Sequence, residues 1–239
     1  MVTRRPSTTK KKPARPREPL TRARIVAAAV ALADAGGTAG LSMRGLAQAL
    51  GIEAMSLYHH VAHKDALLDL MVDAIFERLA PTPDGPWRPA MRARAASIRE
   101  VLLAHPWGLG LLEARKTPGL VTLSHHDRTI GRLRAAGFSI EMVAHALAVL
   151  DSYTYGFVLQ ELSLPFSNPD EASEVAGALI DSAPDGALPH LTELARHQVI
   201  GADYRFADEF DYGLDLVLDG IQARLTARAR PTRSKRRTP

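Results

Sequence analysis

Apolar residues recur along the chain at the spacing of α-helices, in segments separated by short polar stretches that contain glycine or proline. Residues 22–35 place Ile25, Ala29 and Leu32 on one face of a helix. Thr21 precedes this segment as a helix cap, and two glycines follow it as a stop signal. Sustained period-two alternation, which would indicate a strand, is missing from the sequence. The pattern therefore predicts an all-α protein.

The helical pattern extends over most of the chain and is broken once by a cluster of prolines. The proline-rich stretch 81–86 (PTPDGP) cannot continue a helix, so it predicts a boundary between domains covering 20–80 and 87–228. Predicted helices cover residues 22–35, 43–50, about 54–60, about 64–79, 88–104, about 109–115, 120–136, 139–162, about 169–181, about 189–199 and about 206–228.

Residues 22–60 have the pattern of a helix-turn-helix unit. Gly51 falls at the tight turn between the second and third helices, where a residue that tolerates positive φ is needed. Ile52 and Leu57 are predicted to face inward. This leaves six residues facing a partner: Ala54, Met55, Ser56, Tyr58, His59 and His60. A helix of this kind fits the DNA major groove, where all four base pairs are distinguishable.

The distribution of charge supports a nucleic-acid partner. The formal net charge is +4, but residues 1–19 carry +6, residues 20–64 carry +2, residues 65–225 carry −10 and residues 226–239 carry +6. A basic front end on an acidic body attracts phosphate at one end only. The Pro-rich terminal stretches 1–19 and 229–239 lack apolar periodicity and are expected to be disordered tails. They either add phosphate attraction or only solubilise the chain.

Composition excludes several classes of protein. The chain has 239 residues and no cysteine, which excludes disulfides, thiolate metal sites and cysteine nucleophiles. Apolar runs of about 20 residues and a secretory signal are both absent from the pattern, so we expect a soluble cytoplasmic protein without a membrane partner. Gly-rich phosphate loops, G-x-S-x-G and H-E-x-x-H are also absent, so we do not expect an enzyme.

The motifs resemble the TetR family of bacterial transcriptional repressors. The resemblance rests on LTRARIVAAAVALADAGG at 20–37, LSMRGLAQALGIEAMSLYHHVAHKDALLDLM at 41–71, and two later segments at 133–161 and 210–225 that are similar to the tetracycline-repressor type of C-terminal domain. It covers most of residues 20–225. It implies an N-terminal three-helix DNA-binding domain followed by a helical ligand-binding and dimerisation domain.

The resemblance also implies roles for residues of the DNA-binding unit. Ser42, Met43 and Arg44 open the second helix, which contacts phosphates in the family. Ala54, Met55 and Ser56 hold the usual base-reading positions, and Lys64 matches a phosphate-binding lysine. With His59 between them, Tyr58 and His60 match residues that contact the DNA backbone and the edge of the groove in the family. His59 departs from the aromatic residue common there. Because Ala54 and Met55 have few hydrogen-bonding groups, we expect methyl contacts and shape readout.

For the second domain, the resemblance implies a homodimer formed by two helices per subunit, Ser139–Leu162 and Phe206–Arg228. It also implies a pocket for a small-molecule effector among the central helices. Candidate effector-binding residues are His105, Trp107, Glu113, His126, Tyr153 and Gln160. Glu113 stands near the position of a magnesium-ligating histidine, and Gln160 replaces a glutamate of the family. We therefore expect an organic effector without a metal or other cofactor.

Several other interpretations of these residues remain open. His59, His60 and His63 have a spacing that suits zinc, but a metal site wants a further ligand. The candidate effector residues Trp107 and Tyr153 also fit as core residues. The fold suits an effector-independent regulator or activator as well, or an α-helical small-molecule-binding protein. If the chain is a ligand-responsive repressor of double-stranded operator DNA, we expect the helix over residues 64–79 to couple the effector domain to the DNA-binding domain.

Overall fold

The computed structural model describes residues 19–114 and 118–229, and within them every side chain except those of Glu113, Arg228 and Ala229. The predicted disordered tails therefore lie outside the described residues, apart from Pro19 and Ala229. The described residues form helices and no strand. The helices are α1 Arg22–Gly36, α2 Met43–Leu50, α3 Ala54–Tyr58, α4 Lys64–Phe76, α5 Trp87–Ala104, α6 Trp107–Ala114, α7 Leu120–Ala135, α8 Ile140–Ser163, α9 Pro169–Asp181, α10 Pro189–Gln198 and α11 Glu209–Ala229.

The first three helices pack around a small apolar core. Ile25 and Ala29 of α1, Leu46 of α2 and Leu57 of α3 are fully buried in it. Gly51 ends α2 at φ +67°, and its N–H donates to carbonyls of the preceding turn. That backbone angle favours glycine, because a Cβ would be strained there. The turn fixes the angle at which α3 leaves α2.

The helices beyond residue 86 build a second core. It joins Trp87 and Met91 of α5, Leu133 of α7 and Leu150 of α8 with Leu214 of α11. The apolar stripe predicted on the last helix lies in or against this core. Its members are Phe206, Phe210, Leu214, Val217, Ile221 and Leu225.

Helix α4 packs against both the DNA-binding helices and the helices beyond residue 86. Leu67 and Met71 in its first half pack against α1 to α3. Val72, Ile75 and Phe76 in its second half are buried with residues of α5, α6 and α7. Helix α4 therefore connects the helices around the first core to α5, α6 and α7.

Some helix ends differ from the sequence prediction. Helix α3 ends at Tyr58, because the N–H groups of His60 and Val61 both turn back to the Leu57 carbonyl. Helix α4 ends at Phe76, although the apolar stripe continues to Leu79. The last segment begins with a 3-10 turn over Phe206–Asp208 before α11 starts.

One helix among the described residues, α8, passes a length and composition test for a membrane span, with a mean hydropathy of 1.3. The expectation that no apolar run approaches that length therefore needs correction. About 39% of the stretch is buried inside the protein. Core helices of soluble proteins pass the same test.

Candidate DNA-binding surface and effector domain

Helix α3 separates its residues into a buried anchor and an exposed face. Leu57 is fully buried, whereas Met55 is 68% exposed and Tyr58 45% exposed. His59 is also exposed, while Ala54, Ser56 and His60 are half-buried. The structure thus brings the six predicted residues together at one short helix and its end.

One hydrogen bond from α1 reaches the end of α3, and the start of α2 carries its own cap. The Nε of Arg22 donates to the His60 carbonyl at 3.2 Å. Arg22 was missed by the sequence interpretation, because the contact spans 38 residues. Ser42 accepts the N–H of Gly45 at 3.1 Å as the cap of α2. Arg44 is exposed in the first turn of α2 and Met43 is half-buried beside it.

The start of α4 lies next to this surface. The Nδ1 of His63 accepts the Ala66 N–H at 3.1 Å and caps the helix. Lys64, the first residue of α4, is half-buried. His63 uses one ring nitrogen as a backbone acceptor, which makes it a poor third member of a zinc site. The described residues contain no group of three or more potential metal-binding side chains.

Two of the candidate effector residues contact the DNA-binding unit instead. His105 and Trp107 flank the break between α5 and α6. The Nδ1 of His105 lies 2.7 Å from Asp34 Oδ1 in the last turn of α1. Trp107 Nε1 donates to the same oxygen at 2.6 Å. Arg78 Nη1 donates to His105 Nε2 at 2.6 Å. Because an arginine donates but cannot accept, His105 Nε2 accepts the hydrogen bond from Arg78, and the N–H at Nδ1 donates a hydrogen bond to Asp34.

We call these four residues, Asp34, Arg78, His105 and Trp107, the Asp34 cluster. They come from α1, the segment after α4, the α5–α6 break and α6. The imidazole of His105 is almost fully buried, at 7% side-chain exposure, whereas Asp34 keeps 34%. The cluster is therefore a second contact, besides α4, between the DNA-binding helices and the helices beyond residue 86.

Two further candidates face other neighbours. The Tyr153 hydroxyl donates to the Phe210 carbonyl at 2.8 Å, which ties α8 to the start of α11. Burial raises the pKa of this hydroxyl. Gln160 is exposed, while the neighbouring Glu161 forms a bidentate pair with Arg99 at 2.5 and 2.8 Å. The side chain of Glu113 lies outside the described part of the chain.

The pKa of His126 responds to the charges of an ion pair that joins α5 to α8. Arg94 Nη1 of α5 donates to Asp151 Oδ1 of α8 at 2.6 Å. Burial lowers the pKa of His126, and the Arg94 charge lowers it further, although Asp151 opposes both. As pH falls, the ring of His126 therefore stays uncharged down to a lower pH than the ring of an exposed histidine.

A cleft of about 420 Å³ opens between the end of α4, the α4–α5 connection and α7. It is lined by Thr82, His125, Arg128 and Arg132, among others. Of the five candidate effector residues whose side chains the structure describes, none lines this cleft. The signal that could have pointed to this cleft is the cationic face of α7, with Arg128 and Arg132 one turn apart.

The outer faces of α8 and α11 form an apolar groove of about 810 Å³. Val149 on α8 and Leu216 on α11 are 48% and 58% exposed beside it. Exposed apolar surface on two neighbouring long helices is typical of a subunit interface. These are the two helices through which the family resemblance implies dimerisation.

Comparison with known proteins places this fold and surface in one class. Residues 25–71 match the model of bacterial regulatory proteins of the tetR family, and residues 80–225 match the tetracyclin repressor-like C-terminal domain. The HTH-type transcriptional repressor DrrR1 of Streptomyces coeruleorubidus is 31% identical over 92% of this chain and 84% of its own length. The class A tetracycline repressor of transposon 1721, from Escherichia coli, is 31% identical over 84% of this chain and 89% of its own.

A solved structure agrees with this placement. Apo ActR of Streptomyces coelicolor superposes with a TM-score of 0.73 at 30% identity, over 88% of this chain and 98% of its own. ActR has also been solved in complex with actinorhodin. The fold and surface therefore define a helix-turn-helix regulator, and the chain belongs to the TetR family.

Membership confirms the expected class of function. The chain is a ligand-responsive transcriptional repressor, and its partners are operator DNA, a small-molecule effector and a second copy of itself. Members of the family are transcriptional regulators rather than enzymes.

Proposed function

We propose that this chain represses transcription by placing the α3 helices of two subunits on the two halves of a palindromic operator. The observation that carries this proposal is the division of α3 into an exposed face and a buried anchor. Met55 and Tyr58 project toward solvent from a helix that Leu57 fixes in the core. Two recognition helices in a dimer meet half-sites about one helical turn apart.

The contacts with operator DNA divide between two tasks. Ala54, Met55 and Ser56 read base edges, chiefly through methyl contacts and DNA shape. The proposed phosphate and groove-edge contacts come from Ser42, Met43, Arg44, Tyr58, His59, His60 and Lys64. Phosphate contacts set the register of the protein on the duplex and make its affinity depend on salt.

Release of the operator is proposed to occur by a population shift. An effector that binds one arrangement of the C-terminal core more tightly favours that arrangement, and the distance between the two α3 helices then no longer fits both half-sites. Helix α4 carries the shift, because its first half is buried against α1 to α3 and its second half against α5, α6 and α7. The Asp34 cluster adds a further contact, because His105 and Trp107 both hold Asp34 of α1.

The effector is proposed to be a small organic molecule bound without a metal or other cofactor. Support comes from ActR, which is solved with actinorhodin, and from the tetracycline repressors among the relatives. We expect a different effector from tetracycline with magnesium, because Glu113 and Gln160 replace the matching residues of that pattern. A repressor of this kind acts in the cytoplasm and needs no catalytic activity.

Footprinting of the purified protein on its own upstream intergenic DNA, at several salt concentrations, tests the proposal. We expect a protected palindrome whose affinity falls steeply with salt. Diffuse protection without a palindrome would leave only sequence-independent attraction by basic segments. Failure to bind any duplex at low salt would contradict the repressor function and favour a small-molecule-binding protein instead.

A further inference from the structure

Arg22 links the start of α1 to the end of the recognition helix α3. Its Nε donates to the His60 carbonyl at 3.2 Å. Among the described residues no backbone N–H donates to that carbonyl, so the Arg22 guanidinium is the donor that the protein supplies to it. Because a backbone carbonyl is a strong acceptor, this bond holds the turn after α3 against α1.

The backbone that carries Arg22 is fixed by the same core that fixes α3. Thr21 caps α1, since its side chain accepts the Arg24 N–H at 3.2 Å. Ile25, less than one turn further along α1, is fully buried in the core that also contains Leu57 of α3. The Arg22 side chain therefore starts from a fixed point and ends beside the residues that follow α3.

Most of the hydrogen-bond donors of Arg22 remain without a protein acceptor. A guanidinium has five N–H groups, and only the one on Nε is bound to a described residue. The residue is exposed. The two terminal nitrogens, Nη1 and Nη2, form the planar fork that matches two oxygens of a phosphate.

The positive charge of Arg22 has no ion pair among the residues that the structure describes. Residues 20–64 contain two acids, Asp34 and Glu53. Asp34 is bound in the Asp34 cluster, and Glu53 precedes α3, at the opposite end from His60. Asp65, in the first turn of α4, does not pair with Arg22 either. An exposed, unpaired cation on a DNA-binding surface attracts phosphate.

We propose that Arg22 binds a DNA phosphate beside the end of α3 with its terminal fork, while its Nε keeps that end of the helix in place. Arg22 is then a phosphate-binding residue and also a positioning residue for Tyr58 and His60. One planar group joins the recognition helix to the DNA backbone, and phosphate contacts set the register of a protein on the duplex. This inference rests on the proposed function, because the phosphate belongs to the operator on which α3 is placed.

Two substitutions of similar length separate the two roles. In Arg22→Gln the amide nitrogen takes the place of Nε, so the donor to the His60 carbonyl is kept while the charge and the fork are lost. Arg22→Met loses the donor as well. Fluorescence anisotropy with the full chain, on the operator and on a scrambled duplex at several salt concentrations, measures the affinities and the slope of log affinity against log salt.

We expect both variants to bind both duplexes more weakly than the wild type. Their slope on the operator should be shallower by about 1.8, because a dimer loses two phosphate contacts at about 0.9 each. We expect Arg22→Met to lose a further factor of roughly 2 to 10 on the operator alone, the range for a neutral hydrogen bond. Its operator-to-scrambled ratio of affinities should therefore fall below that of Arg22→Gln.

Arg134→Gln is the control for the lost charge. Arg134 on α7 also donates to a backbone carbonyl, that of Phe138 at 2.5 Å, but it belongs to the C-terminal helices. The control should keep the wild-type slope and ratio. Urea unfolding of each variant shows whether the fold is intact, and Arg22→Gln with its control decides the phosphate contact even if Arg22→Met does not fold.

A wild-type slope in Arg22→Gln would overturn the phosphate contact, and equal ratios in the two folded Arg22 variants would overturn the positioning role. Footprinting of the wild type separates these outcomes from failure of the proposed function. A wild-type protein that binds no duplex contradicts the repressor function and this inference together. A protected palindrome, with Arg22 variants that behave like the wild type, contradicts this inference alone.

Discussion

Different residues of α3 serve folding and DNA recognition. Leu57 is fully buried, while Met55, two positions earlier, is 68% exposed. A side chain this exposed adds little to the stability of the fold. We therefore expect Met55 to contribute to the complex with DNA. The methyl group of thymine is the apolar partner that the major groove offers.

Met55→Ala is therefore expected to weaken binding to the native operator several-fold while leaving non-specific binding unchanged. The side chain loses an apolar contact but no phosphate contact, so the salt dependence should stay the same. Fluorescence anisotropy with the operator and a scrambled duplex measures both affinities. Leu120→Ala is the control, since Leu120 is 79% exposed on α7. An equal loss on both duplexes would assign Met55 to backbone contact.

Lys64→Ala is expected to weaken binding to all sequences and to change the salt dependence, unlike Met55→Ala. If Lys64 binds a phosphate, its loss weakens binding to every sequence by a similar factor. The slope of log affinity against log salt should become shallower by about 0.9 for each phosphate contact removed. Arg196→Ala on α10 serves as a control for a general change of charge. Unchanged affinity and slope would rule out the phosphate role of Lys64.

At the scale of helices, the Asp34 cluster and α4 hold the DNA-binding helices against the C-terminal helices by different means. The contacts of α4 are apolar and spread along its length, whereas Asp34 accepts two hydrogen bonds at one oxygen, from His105 and Trp107. A localised polar contact has two discrete states, made or broken. It is suited to change when the C-terminal core rearranges.

Asp34→Ala removes the acceptor and leaves the His105 and Trp107 N–H groups without one. We expect the free energy of unfolding to fall by about 1–3 kcal/mol, the usual cost of a buried donor left unsatisfied. We also expect operator affinity to fall, because α1 is no longer held against α6. Urea unfolding and anisotropy measure the two effects. Asp65→Ala on α4 is the control, and equal stability of both variants would contradict a structural role for the cluster.

Helices α5 and α11 are joined by a ladder of ion pairs at the surface. Arg88 pairs with Asp215 and Asp219, and Arg92 pairs with Asp211 and Asp215. Hydrogen bonds from Arg92, followed by those from Arg88, lower the pKa of the Asp215 carboxyl below its ordinary value of 3.8. A carboxyl with a depressed pKa stabilises the fold when it is ionised.

Asp215→Asn should therefore be less stable than the wild type at neutral pH, by a small margin because the pair is exposed to solvent and salt. The difference should persist down to the ordinary carboxyl pKa and vanish as pH falls through the lower pKa of the folded state. Thermal unfolding of both proteins between pH 7 and pH 3 measures it. Asp181→Asn on α9 is the control, and a difference that grows toward low pH would contradict the assignment.

At the scale of the whole molecule, the sequence predicted what depends on local pattern. The helices, the turn at Gly51 and the inward position of Leu57 follow from periodicity and backbone preference, and the structure has them. The contacts that decide the site do not follow from local pattern. His105 and Asp34 lie 71 residues apart in sequence, so the placement of His105 against α1 depends on how two cores pack. The same holds for Arg94 and Asp151, 57 residues apart.

The surface of α8 and α11 extends this argument to the dimer. An apolar groove of about 810 Å³ on the outside of a folded chain marks a surface that interacts with a partner. Val149 and Leu216 lie on opposite sides of the groove, so a second copy that covers it contacts both.

Leu216→Glu is expected to shift the protein from dimer to monomer, because a carboxylate at the interface must lose its water when the subunits meet. Operator affinity should fall with dimer formation, since one recognition helix reaches only one half-site. Sedimentation velocity and footprinting measure the two effects on the same sample. Leu123→Glu on α7, where Leu123 is 49% exposed, controls for an added charge. A Leu216→Glu protein that stays dimeric and protects a full palindrome would show that the subunits meet through another surface.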